Sequence, residues 1–300
     1  MPEDKPALDF ALIKEPLDTV LRALEYKIER EGPGSLTALP TGRETLLVTL
    51  RLARNTYDTI RWFAADEPKD VLRKPTFSLC IPALNRTLLD SVCNCVFMFE
   101  DLPQRLIQYQ KAGWRELKRD VERNKVEYGH LPAWADWFMH ADHLLSIGVG
   151  LLSISPGELA HPEKIPFWPI PSQMIRYGGP HIGPLSRDRA YLSYLQDWFY
   201  RELSSISHGS AYAIVQFGAV LIPELLSDTQ RELIENNLPQ LKSGYVGRTI
   251  ILILALASEF EAYFKFGLQE RLKYLWTVLA QHSIEAEELY EYRYKSLLNF

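Results

Sequence analysis

Helical periodicity is the feature that most constrains how this chain can fold. Apolar residues recur every three or four positions along almost all of its 300 residues, whereas the strict alternation typical of half-buried strands is scarce. One of the clearest runs lies between residues 42 and 65, where Leu46, Leu50, Tyr57 and Ile60 repeat at helical spacing. This pattern predicts an all-α protein.

Glycine and proline divide the pattern into helical segments. The expected helices cover residues 8–31, 42–65, 76–100, 103–128, 132–153, 186–208, 209–226, 230–236, 244–266, 269–282 and 284–298. Pro82 falls within the first turns of the third segment, so that helix either begins later or bends there. No internal repeat of fixed period is evident, which disfavours a solenoid. We expect an irregular multi-helix bundle.

A proline-rich stretch interrupts the helices between residues 155 and 184. It contains seven prolines and four glycines, which cannot continue a helix. Its apolar side chains predict an ordered excursion pinned onto the helices rather than a linker: Phe167, Trp168, Ile170 and Ile175. We therefore expect a single helical domain over residues 1–300, with N-terminal helices up to residue 154 and C-terminal helices from residue 185.

Charge and hydropathy favour a soluble, cytoplasmic protein. The formal net charge of −5 disfavours broad coating of duplex DNA, although it is compatible with a small local RNA site. Residues 1–6 contain no basic segment that leads into an apolar stretch, so we expect no secretory signal. The apolar run at residues 250–257 is much shorter than the roughly 20 residues that span a bilayer. No membrane contact is expected.

Two groups of residues have the side chains of a metal site. Cys93 and Cys95 form the first, but a closed zinc site needs four ligands and the chain has only three cysteines. Asp136, His140 and His143 share one helical face, and two histidines with a carboxylate are a recognised metal set. The aromatic residues around this second group favour a packing helix instead. We predict no metal and no other cofactor.

The segment from Tyr200 to His208 carries the clearest catalytic pattern. In a continuous helix, Arg201 and His208 fall about 20° short of two full turns apart, so both project from one face with Ser204 between them. A histidine with a pKa of about 6.5 can take the proton of a ribose 2′-hydroxyl, while a guanidinium stabilises charge on the phosphate oxygens. Ser204 and Ser207 would position the phosphate or the attacking oxygen. The pattern predicts metal-independent RNA cleavage.

These residues resemble the motif of the HEPN superfamily, in which an arginine precedes a histidine near the end of a helix. The spacing here is at the long limit, and Glu202 stands where asparagine, aspartate or histidine is usual. The resemblance implies an endoribonuclease of toxin–antitoxin or anti-phage defence, with RNA as substrate and an antitoxin as partner. It also implies a homodimer whose two motifs face each other. Arg201 would bind the phosphate and His208 would be the catalytic histidine.

A second resemblance involves Asn85-Arg86-Thr87-Leu88-Leu89-Asp90 together with residues 200–210. Both stretches are similar to an uncharacterised bacterial helical family with an Arg-small-Leu-Leu-acid element and a Leu-Ser-x-x-x-His element. Buried charges must be paired, and their i, i+4 spacing predicts that Arg86 and Asp90 pair with each other. They would then orient the catalytic motif as supporting residues. Alternatively, His208 is a structural histidine bonded to a carbonyl or to Asp90.

Several functional interpretations remain open at this point. A row of cations on the fourth predicted helix either contacts RNA or forms local ion pairs on a solvated face: Lys111, Arg115, Lys118, Arg119 and Arg123. The leading hypothesis is a metal-independent endoribonuclease of HEPN-like type. One alternative is a non-catalytic helical interaction module with a buried network of arginine, aspartate and histidine. Another is a sensor that binds a nucleotide or metabolite in the same pocket.

Overall fold

The computed structural model describes residues 10–31, 41–65, 74–178, 185–207 and 227–299. Within these ranges the chain is helical and contains no β-strand, so the predicted all-α class is confirmed. The helices are α1 (Phe10–Glu31), α2 (Gly42–Ala65), α3 (Lys74–Phe99), α4 (Leu102–Tyr128), α5 (Ala135–Leu151), α6 (Pro156–Ala160), α7 (Pro171–Ile175), α8 (Arg187–Leu195), α9 (Arg201–Ser207), α10 (Asp228–Phe264), α11 (Gln269–His282), α12 (Ile284–Leu289) and α13 (Lys295–Leu297). Two π turns, Gln196–Tyr200 and Tyr290–Tyr294, join α8 to α9 and α12 to α13.

Helix α10 forms the centre of the hydrophobic core. It packs along α3 and α2 on one side and against α11 on another, while α1 lies across α2 and α11. All residues from 249 to 261 are buried, which is the pattern of a helix surrounded by protein. By length and composition, Ser243–Phe264 would be able to cross a bilayer, but 78% of its most apolar 18 residues are buried inside the protein. Burial in the core accounts for that hydropathy.

Several predicted helices differ from the structure in their extent. Residues 230–236 and 244–266 were expected to form two helices, but they belong to the single helix α10. A mid-helix glycine such as Gly244 costs about 1 kcal/mol, and the burial of the following segment outweighs that cost. Helix α3 continues through Pro82. The predicted helix at residues 186–208 is interrupted by the π turn before Arg201, and the helix expected at residues 209–226 lies outside the described residues.

A buried ion pair ties the aromatic C-terminal segment to the core. The Arg293 guanidinium donates to Glu259 at 2.6 Å and to Asp188 at 2.8 Å, and the hydroxyl of Tyr294 donates to Glu259 at 3.0 Å. Burial alone would lower the pKa of Arg293, but the carboxylate of Glu259 outweighs that effect and raises it. Arg293 and Glu259 are both almost completely buried, so each is the other's essential partner.

Cations of helix α4 hold the described part of the proline-rich excursion, residues 155–178, against the helices. We call this segment the arm. Lys111 forms a 2.9 Å ion pair with Glu158 of the arm. Arg115 donates to the backbone carbonyl of Ile165 and stacks 3.5 Å above the ring of Phe167. Lys118 donates to the carbonyl of Leu159. Three of the cations considered as RNA contacts are therefore engaged in holding the arm.

Candidate functional site

A cleft of about 650 Å³ lies between α3, α4 and the arm. This volume falls within the range of about 300–1,000 Å³ that is typical of small-molecule sites. Polar side chains and aromatic rings share its walls: Thr41, Thr45, Arg86, Asp90, Asn94, Tyr109, Gln110, Gly113, Glu116, Leu152, Trp168, Pro169, Ile170, Pro171 and Tyr200. The cleft is therefore the natural place to look for a ligand.

Helix α3 supplies a polar stripe to the cleft. Arg86, Asp90 and Asn94 follow one another at intervals of four residues, so they lie along one face of the helix. Leu89 and Val92 on other faces are fully buried in the core. The Nε atom of Arg86 donates to a carboxylate oxygen of Asp90 at 3.0 Å, as their spacing predicted.

The guanidinium of Arg86 lies between two partners without satisfying all of its donors. Its central carbon stands 3.4 Å from the ring centroid of Tyr200, which is the geometry of a cation–π stack. The Nη1 atom is buried and has no hydrogen-bond partner among the described residues. An unpaired buried donor costs about 1–3 kcal/mol, so the guanidinium is held here at some cost in free energy.

Asp90 and Asn94 add a polar edge to the cleft. Burial raises the pKa of Asp90, and the hydrogen bond from Arg86 acts in the opposite direction. The side-chain oxygen of Asn94 accepts a 2.8 Å hydrogen bond from the indole nitrogen of Trp168. That bond orients the amide and leaves its nitrogen without a partner among the described residues. The stripe therefore offers both hydrogen-bond donors and acceptors.

Two aromatic rings form the apolar wall. Trp168 of the arm meets Tyr109 of α4 edge to face, with ring centroids 4.8 Å apart, and it also packs against Phe97. Burial raises the pKa of Tyr109, so its phenol remains a neutral hydrogen-bonding group across the physiological range. Rings fixed by such contacts present a rigid surface to a flat ligand.

The charges around the cleft do not favour a polyanion. Arg86 contributes one positive charge, while Asp90 and Glu116 contribute two negative ones. At the other end, Gln110 donates to the hydroxyls of Thr41 and Thr45 at 2.9 and 2.8 Å. The guanidinium is thus partly neutralised, and the surrounding walls are neutral or acidic.

Arg201 and Ser204, the described residues of the predicted catalytic set, do not line this cleft. Arg201 is 76% exposed and pairs with Asp197, one turn earlier, at 3.1 Å. The hydroxyl of Ser207 donates to the carbonyl of Leu203, and Ser204 is half-buried. The predicted catalytic histidine, His208, lies outside the described residues. Among the described residues, Arg86 pairs with Asp90 and stacks on Tyr200, whereas the ion pair of Arg201 is with Asp197 and not with Asp90.

Glu202, which departs from the HEPN pattern, has a structural partner. It accepts hydrogen bonds from Arg248 at 2.9 Å and from the hydroxyl of Tyr245 at 3.2 Å. Arg248 also pairs with Glu285 of α12. Glu202 therefore anchors α9 to α10 and α12.

The metal interpretations find no geometric basis in the described residues. No group of three histidine, cysteine, aspartate or glutamate side chains in these ranges is placed to hold an ion, so Asp136, His140 and His143 do not converge. Cys93 and Cys95 are buried, and burial raises the pKa of both thiols. These two cysteines act as small core residues.

Of the cleft residues named above, the sequence predicted Arg86 and Asp90 as site residues and missed the others, including Asn94, Tyr109 and Trp168. Asn94 had a usable signal, because it continues the four-residue spacing of Arg86 and Asp90 on the same helix. Trp168 had none, because its contact with Asn94 joins positions 74 residues apart. Only the packing of the arm brings them together.

Comparison of the chain with models of protein families, with curated proteins and with solved structures found no match. The resemblances that the motifs suggested therefore stay predictions. The cleft is interpreted from its own geometry.

Proposed function

We propose that this protein is a helical ligand-binding protein whose cleft takes a small, uncharged, planar heterocycle of nucleobase or nucleoside size. The observation that carries this proposal is the guanidinium of Arg86. It is stacked on Tyr200 and bonded to Asp90, and it lines an aromatic-walled cleft beside the amide of Asn94.

Hydrogen-bonding capacity favours a heterocycle with a mixed edge. Arg86 and Asn94 offer donors, and the second carboxylate oxygen of Asp90 offers an acceptor with no partner among the described residues. A nucleobase carries ring carbonyls, ring nitrogens and amino groups along one edge. It can therefore form hydrogen bonds with the donors and with the acceptor of the cleft. Stacking on an aromatic ring such as that of Trp168 adds about 1–3 kcal/mol per base.

Charge distinguishes this ligand from a nucleotide. The carboxylates of Asp90 and Glu116 repel phosphate groups, and Arg86 is the one basic side chain among the described residues that line the cleft. We therefore expect a nucleoside or free base to bind more tightly than the corresponding monophosphate.

Isothermal titration calorimetry with the common nucleosides, their free bases and their monophosphates tests the proposal. Asn94→Asp keeps the acceptor for Trp168 but removes the amide donor, so it should weaken binding about tenfold, or about 1.4 kcal/mol. Arg61→Met is a control outside the cleft, because Arg61 pairs with Asp18 and lies over the Tyr57 ring. Absence of binding by every base and nucleoside, or tighter binding of the monophosphates, rejects the proposal.

A metal-independent endoribonuclease is the second candidate function. The exposure of Arg201 supports it, because a guanidinium that is open to solvent at the start of α9 can reach a phosphate of a large RNA substrate. We expect His208→Ala and Arg201→Ala each to abolish cleavage of total RNA in the presence of EDTA, with circular dichroism unchanged. If the wild type leaves RNA intact, this candidate is rejected.

A further inference from the structure

Helix α5 exposes an apolar stripe on the surface of the protein. One side of the helix carries four exposed apolar residues: Trp137, Leu144, Ile147 and Leu151. Together with His140, they are spaced alternately by three and four residues. This spacing is that of the a and d positions that form the seam between two coiled helices. Only Ala141 of α5 is buried in the protein.

A neighbouring side of α5 packs closely against α4. The indole nitrogen of Trp114 donates to the carbonyl of Leu145 at 3.0 Å. A Cβ atom at Gly148 would lie 2.6 Å from the Trp114 ring, so the glycine permits this close approach of α5 to α4. The exposed stripe is therefore preformed, which reduces the entropy lost when a partner binds.

We propose that α5 is a self-association surface on which a second copy of the chain docks its own α5 in antiparallel orientation. A two-fold axis that crosses the helix between Leu144 and Ile147 places Leu144 against the partner's Ile147. It also places Leu151 against the partner's His140. The same stripe then serves both copies, as an isologous interface requires.

The charge on α5 allows a second copy to be the occupant. The helix contains no lysine or arginine. Of its two aspartates, Asp142 is neutralised by a 2.7 Å ion pair with Lys125 of α4. Two such helices can therefore approach each other without like charges along the seam.

The stripe supplies about half of the area that an interface needs. Its four apolar side chains are between 38% (Trp137) and 47% (Leu151) exposed. Together they present on the order of 400 Å² on each copy. A stable interface buries about 800 Å² per partner, so the polar rim, including Asp136, His143 and Ser146, would supply the remainder.

Light scattering coupled to size-exclusion chromatography, over a range of micromolar concentrations, tests the proposal on the full chain. We expect the wild type to be a dimer and Leu144→Lys/Ile147→Lys to be a monomer, because lysines would face each other across the axis. Leu52→Lys and Tyr274→Lys are matched controls, since each replaces an apolar side chain that is even more exposed on α2 or α11. Both controls should stay dimeric.

A charge-swap experiment separates loss of the interface from loss of folding. Leu144→Glu/Ile147→Glu should also be monomeric alone, and an equimolar mixture with the lysine variant should restore dimers. Wild type that is monomeric at all concentrations overturns the proposal. Dimers that persist in the lysine variant also overturn it, because they would place the interface on another surface.

Discussion

Replacement of Arg86 by methionine distinguishes a ligand site from a structural network. If Arg86 served stability, its removal would cost several kcal/mol, as for other broken buried ion pairs. If Arg86 is placed for a ligand, the apo protein should tolerate its loss. Methionine suits this test because its unbranched chain can follow the path of the arginine stem without a charge.

The structure allows the effect on stability to be worked out. The stack on Tyr200 contributes about 1–2 kcal/mol in a desolvated setting. The bond to Asp90 contributes about 1 kcal/mol, because that carboxylate is 40% exposed and therefore screened by solvent. Against these, the unpaired buried Nη1 atom costs about 1–3 kcal/mol. The opposing effects nearly cancel, so Arg86→Met should change the free energy of unfolding by about 1 kcal/mol or less.

Urea unfolding, followed by circular dichroism, measures the stability, and calorimetry with the best nucleoside measures binding. We expect stability close to that of the wild type and affinity reduced at least about tenfold, because the ligand loses its hydrogen bond to the guanidinium. A loss of more than about 3 kcal/mol in stability would refute the reasoning, since it would make Arg86 part of a buried structural network.

Three further predictions concern other parts of the molecule. Glu259→Leu should lower the free energy of unfolding by about 3 kcal/mol in urea titrations, because it leaves the buried Arg293 without its carboxylate partner. The double variant Glu259→Leu/Arg293→Met should recover much of that loss. Equal losses in the two variants would contradict this prediction. Burial raises the pKa of Asp90, so the folded protein binds a proton there more readily than the unfolded chain. The stability of the wild type relative to Asp90→Asn should therefore rise as the pH falls from about 7 to about 4, as measured by urea titrations; a fall would contradict the sign. Gly148→Ala should cost about 1–3 kcal/mol, measured in the same way, and weaken the dimer, because its Cβ atom would overlap Trp114; an unchanged protein would show that α5 is not held as described.

Much of the helical framework could be predicted from periodicity and from helix-breaking residues. The expected segments at residues 42–65 and 269–282 coincide with α2 and α11, because each combines an apolar face with clear boundary residues. The division of α10 was predicted wrongly, since the local signal of Gly244 was outweighed by tertiary burial. The π turn at Gln196–Tyr200 has no signature in hydrophobic periodicity.

The candidate site was predicted only in part. The pairing of Arg86 with Asp90 follows from spacing and burial along one helix, so the sequence contained it. The cleft depends on the arm, and the arm is held by contacts such as that of Lys111 with Glu158, which are distant in sequence. The exposure of Arg201 could not be deduced either, because periodicity shows which residues share a face but not whether a neighbouring element covers that face.

The location of a bound nucleoside tests the central claim most directly. Crystals soaked with brominated nucleosides would reveal the ligand through the anomalous scattering of bromine. We predict a single strong bromine peak in the cleft, with the base against Trp168 and its polar edge within hydrogen-bonding distance of Arg86 and Asn94. A peak elsewhere on the protein, with the cleft holding only water, would contradict the account.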